Sequence, residues 1–171
     1  MMRPADSANI NRVAPYRVVA IDASAYRFFT DNGLVYEVGF VDDYTFFDDN
    51  AYQFYLKELT GTSAPRDPKI MKTVGAVIEE FLSQNDSVVI YICDNSDGRQ
   101  ATRNRVFISW FNYYANKDAY TLLTGTGTIL DNTYYTAAIV AKQNPDHDEI
   151  INAFAFFKMQ VRAKFPDAEV E

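Results

Sequence analysis

SVVIYICDNSDGRQATRNRVFISWF, residues 87–111, is the stretch on which the architecture turns. Val88 to Ile92 is apolar at both parities, which suits a central strand covered on each face rather than a half-exposed one. The run closes on Cys93-Asp94, and Asn95-Ser96-Asp97-Gly98 makes a tight polar turn. A helix then runs from about Arg99 to Ala115. At 100° per residue, Arg99, Arg103, Val106, Phe107, Trp110, Phe111 and Tyr114 fall within an arc of roughly 140°. Two arginines therefore share the buried-side stripe, while Arg105 points away.

Upstream of this stretch lies a helix and, before it, a β region. Asp67-Pro68 is a helix start: Asp67 accepts a bond from an orphan amide, and Pro68 takes the first helical position, where its missing donor costs nothing. Ile70, Val74, Val77, Ile78 and Phe81 recur at helical spacing until Gln84-Asn85-Asp86. Tyr16 to Ile21, Tyr26 to Thr30, Leu34 to Val41 and Tyr52 to Lys57 alternate with period two and read as four strands. Asn32-Gly33 is expected to supply the positive φ values of a tight hairpin between the second and third. Residues 1–14 are polar and aperiodic and read as a flexible arm ahead of a single domain spanning 15–168.

Downstream, Tyr120 to Leu130 and Thr133 to Ala141 read as a second hairpin. Asn144-Pro145-Asp146 opens a last helix with Ile150, Phe154, Phe157, Val161 and Phe165 as its apolar stripe. The expected fold is α+β, ordered ββββ-α-β-α-ββ-α. Its sheet is mainly antiparallel and twisted, of about seven strands, with three helices packed mostly on one face.

Composition narrows function by exclusion. The 171 residues are long enough for one continuous core, and 15% are aromatic, so the chain is not disordered. A net charge of −7 argues against a general nucleic-acid binder, whose footprint is a basic stripe. One cysteine permits no internal disulfide and fits a reducing compartment, and one histidine removes most zinc sites and most imidazole catalysis. No run is long and apolar enough for a membrane span, and Met1 to Pro15 lacks the centre of a signal peptide, so a cytoplasmic protein is expected.

The order of features resembles a family of small Bacteroidota domains of unknown function. Tyr36-Glu37-Val38-Gly39-Phe40, Asp43-Tyr44-Thr45-Phe46, Ile90-Tyr91-Ile92-Cys93-Asp94, Asp97, Arg103, Phe107, Trp110, Phe111 and Asn144-Pro145 carry the resemblance, which spans roughly residues 16–165. It implies a bacterial cytosolic setting and no substrate, cofactor or catalytic residue.

Two clusters are candidates for function. Asp94, Asp97, Arg99 and Arg103 form a polar seam beside the central strand. Forked guanidinium donors at a helix start suit a phosphorylated or anionic ligand, and the carboxylates suit a divalent metal. The same residues serve equally as scaffold, with Asp97 capping the helix and Arg103 paired to Asp94, and this second use is preferred. The other cluster is DDYTFFDDN, residues 42–50, where four carboxylates interleave with three aromatics. There Asp43, Tyr44, Phe46 and Phe47 are candidates to contact a partner protein. The plainer and preferred reading is a strand connection whose Tyr44, Phe46 and Phe47 tuck under the sheet edge with the aspartates facing water. Cys93 has no base in reach, His147 reads as a solvated helix terminus, and the Thr-Gly repeat at 124–128 lacks the context of a phosphate cradle. No complete catalytic set, metal site or cofactor motif emerges. The expectation is a non-enzymatic protein-binding or regulatory module, with a small enzyme or ligand-binding domain at the seam as the rival.

Overall fold

Burial alternates along the central strand, and that alternation sorts the whole molecule. A computed structural model describes residues 2–44, 47, 50–61, 66–93, 100–113, 116–129, 132–164 and 169–170. The central strand, β5 (Val88–Cys93), has Val89 in one core and Val88 and Ile90 in another, all three shut off from solvent. Ahead of it come α1 (Ser7–Val13), β1 (Val18–Ala20), β2 (Ala25–Phe29), β3 (Val35–Asp42), β4 (Ala51–Glu58) and α2 (Pro68–Gln84). After it come α3 (Gln100–Tyr113), β6 (Tyr120–Ile129), β7 (Asn132–Ala141), α4 (His147–Lys164) and β8 (Glu169–Val170).

One sheet holds all the strands, in the order β1-β2-β3-β4-β5-β7-β6-β8. The seven expected strands are β1–β7, and the two-residue β8 pairs with Gly127 and Thr128 of β6. Pairing is antiparallel except between β4 and β5, where Ala51, Tyr52 and Gln53 run parallel to Val88, Val89 and Ile90. A parallel pair needs a crossover, and α2 is that crossover. Its expected cap forms: Asp67 accepts from the Lys69 amide at 3.0 Å, and Pro68 opens the helix.

The larger core lies between the sheet and α1, α2 and α3. It gathers Val18, Tyr26, Phe28, Val38, Phe40 and Phe54 from the strands with Val74, Val77, Phe81, Phe107 and Trp110 from the helices. Phe40 stacks on Phe81 with ring centroids 3.9 Å apart. The smaller core lies on the opposite face, where Ile150 and Phe154 of α4 meet Ala51, Val88, Ile90, Ala138 and Val140.

Two expectations need correction. There are four helices rather than three, and they divide between the faces, α1–α3 on one and α4 on the other. The additional helix is α1, within the residues read as an arm. Asp6 caps it by accepting from the Ala8 amide, Ile10 is fully buried, and Asn11 holds both the amide and the carbonyl of Val18. A single apolar anchor in seven residues leaves no periodicity to read, and so short a helix gains its stability from what it touches. The first hairpin also closes differently. Gly33 alone takes positive φ, +76°, and Thr30 and Leu34 bracket a three-residue loop, the geometry of a type I turn followed by a left-handed glycine.

Candidate interaction face

Even-numbered residues of β1–β4 point into the larger core, so odd-numbered ones make up the opposite face. On that face Val19 pairs with Arg27, Arg27 with Glu37, Phe29 with Val35, Glu37 with Lys57, Gly39 with Tyr55, and Val41 with Gln53. The fourth helix lies on this side of the sheet over β5, β6, β7 and the start of β4. Among the described residues, no helix packs on this side over β1–β3. Val19, Ile21, Phe29, Val41 and Leu59 are all exposed there, Phe29 by 61%.

Polar groups lock the middle of the face. The Arg27 Nε donates to Glu37 Oε2 at 2.8 Å, and the Tyr55 hydroxyl donates to Glu37 Oε1 at 3.1 Å. The guanidinium bond foremost, helped by the Tyr55 hydroxyl, holds the Glu37 carboxyl below its ordinary range. Burial, then the Glu37 carboxylate, raises the Tyr55 phenol. Lys57 Nζ sits 4.9 Å from the centre of the Tyr55 ring, close enough for a cation–π contact. A side chain at position 39 would collide with that ring, so Gly39 is what lets Tyr55 lie flat along the sheet. The outcome is a level surface with a charge-balanced centre and an apolar rim.

Only some of the expected site residues fall among the described ones. Asp94, Asp97 and Arg99 lie outside the described residues, as does Phe46. Arg103 falls within α3, but its side chain is likewise outside them. Asp43 is buried, whereas Tyr44 is 71% exposed and Phe47 is half-buried against the smaller core. Thus in the acidic–aromatic stretch a carboxylate turns inward and an aromatic ring outward. The strand periodicity read from the sequence names the core parity and leaves the other one unassigned. The signal was present: Val19, Phe29 and Val41 are large apolar residues at the parity opposite the core.

A second cluster joins β6 to α4. His147 Nε2 lies 2.9 Å from Thr121 Oγ1, and its Nδ1 lies 3.1 Å from Asp148 Oδ1. The order hydroxyl–imidazole–carboxylate resembles a nucleophile relay. The carboxylate is 96% exposed and belongs to the adjacent residue, so it gives the ring little orientation. We read the contact as a clamp that fixes the start of α4 on the sheet, with the His147 side chain 21% exposed rather than solvated. Among the described residues no three histidine, cysteine or carboxylate side chains gather as metal ligands, and no helix is long and apolar enough to cross a membrane.

A family model described as a family of unknown function (DUF6169) matches residues 66–156, just over half of the chain. The chain belongs to that family. A search of curated proteins found no match, and neither did a search of solved structures. The DUF6169 segment begins at the cap of α2 and ends within α4, so it takes in β5, β6, β7 and the Thr121–His147 clamp. It is narrower than the span of the resemblance read from the sequence. The strands that carry the open face precede it.

Proposed function

We propose that this DUF6169 protein is a non-enzymatic interaction module, bacterial and cytosolic in setting, that pairs with a second copy of itself through the open face of β1–β4. The observation that carries the reading is the gathering of Val19, Ile21, Phe29, Val41 and Leu59 on one uncovered sheet face. Large apolar side chains left exposed around a polar centre have the make-up of a contact site. A two-fold interface must be self-complementary, and this face offers both signs of charge side by side: Arg27 and Lys57 against Glu37, with Asp22 near Tyr55 at the rim. On a chain of net charge −7, a charge-balanced patch is where two copies approach without mutual repulsion.

Sedimentation equilibrium tests this reading. The wild-type chain is expected to show a monomer–dimer equilibrium, and Phe29→Asp to sediment as a monomer with unchanged far-UV circular dichroism. Tyr113→Ala, which trims an exposed ring on α3 at the other side of the sheet, should leave the dimer intact. A wild-type chain that stays monomeric at its solubility limit, or a dimer indifferent to Phe29→Asp, removes the proposal.

A further inference from the structure

Residues 2–6 precede α1 and lie across the end of α2 in a way that neither the open face nor the family match involves. The Asn85 side chain grips the backbone of Arg3 from both sides: its Oδ1 accepts from the Arg3 amide at 2.7 Å, and its Nδ2 donates to the Arg3 carbonyl at 2.9 Å. Two residues on, the Tyr26 hydroxyl does the same for Ala5, accepting from the amide at 2.8 Å and donating to the carbonyl at 3.3 Å. The Ala5 methyl is buried in the larger core, and Met2 packs against that core in part. Arg3 and Pro4 face water.

This is how a protein reads an extended peptide: main-chain bonds at alternate residues provide affinity, and a pocket for a small side chain provides selection. Both readers are held independently of the segment. Asn85 Nδ2 also donates to the Phe81 carbonyl at 2.9 Å, and the Tyr26 ring is packed in the core. We propose that the groove between Tyr26 of β2 and Asn85 at the end of α2 is a peptide-binding site. Its ligand is an extended segment of a partner protein with a small apolar residue at the place of Ala5. The chain's own residues 2–6 occupy the site in cis and act as a competing strap. The tethered strap has a high effective concentration, and the partner's segment must outcompete it.

The test uses the full-length chain. Arg3→Pro deletes one amide donor at an exposed position and loosens the strap. A fluorescein-labelled peptide of residues 2–7 is the probe. It should bind Arg3→Pro at about ten-fold lower concentration than wild type, the weight of one hydrogen bond. Adding Asn85→Ala should abolish that binding. In the wild-type chain, the amides of Arg3 and Ala5 should exchange hydrogen through a local opening, well before those of Phe28 and Val38. Overturning results would be absence of saturable binding by a folded Arg3→Pro, binding indifferent to Asn85→Ala, or strap amides that exchange only on global unfolding. The exchange measurement decides the matter even if Arg3→Pro does not fold. None of these readouts involves the odd-numbered sheet face, so failure here leaves the self-association reading untouched.

Discussion

A side chain at position 39 would fall on the far end of the Tyr55 ring, so that ring must move to admit it. Gly39→Ala should therefore push Tyr55 off the sheet, break its bond to Glu37 and cost about 1–3 kcal/mol, the range for overpacking, measurable by urea denaturation. Ionisable residues set a different signature. Burial raises the Glu79 carboxyl above its ordinary value, an effect that outweighs the Asn116 amide donating to it. The folded chain then holds a proton that the unfolded chain has released, so stability present below the ordinary glutamate range is lost as pH rises through the raised value. Glu79→Gln should thus melt higher than wild type at pH 7 and equally at pH 3. At the alkaline end, burial foremost, then Glu79 and Glu80, pushes Tyr120 up to about 12 from 10.0. Stability should fall between those two values, and Tyr120→Phe should flatten the fall in a series of melts.

Elements were legible wherever one residue type repeated at one spacing. The stripe Ile70, Val74, Val77, Ile78 and Phe81 is buried in full, and Phe107, Trp110 and Phe111 line the inner side of α3 as their spacing predicts. What defeated the reading was structure held by single contacts. α1 hangs on Ile10 and on side chains such as Asn9, which donates to Glu80 of α2 at 3.1 Å. Its fate depends on partners far along the chain, which no local window contains. The division of helices between two faces was hidden for a related reason, since β5 is apolar at both parities and so does not say which helix lies on which side. The seam at residues 94–103 showed its charges but not their solvent access. Ile10→Ala tests the case of α1. It should cost about 2–5 kcal/mol if α1 unfolds only with the rest, and less if the helix simply undocks. Helix-specific hydrogen exchange separates the two, and undocking with the sheet still protected is the expected result.

At the scale of the molecule, one sheet serves two cores of unequal size. Among the described residues the larger core is much the bigger of the two, and α4 is the one helix that packs in the smaller. Its attachments include Ile150 and Phe154 in the apolar contact, the Thr121–His147 clamp, and the Lys158 ammonium donating to the Thr124 carbonyl at 3.2 Å. Regions with few buried apolar contacts open below the global transition. Phe154→Ala should therefore expose α4 and the inner face of β7 selectively. The measurement is native-state hydrogen exchange under increasing urea. In the variant, α4 amides should exchange through a sub-global opening, while amides of β2, β3 and α2 keep wild-type rates. Uniform acceleration across every element would mean that the two cores rise and fall together through β5, whose residues Val88, Val89 and Ile90 touch both. The larger core has its own helices and, among buried residues, shares only β4, β5 and β7 of its strands with the smaller, so separation is the outcome that the packing favours.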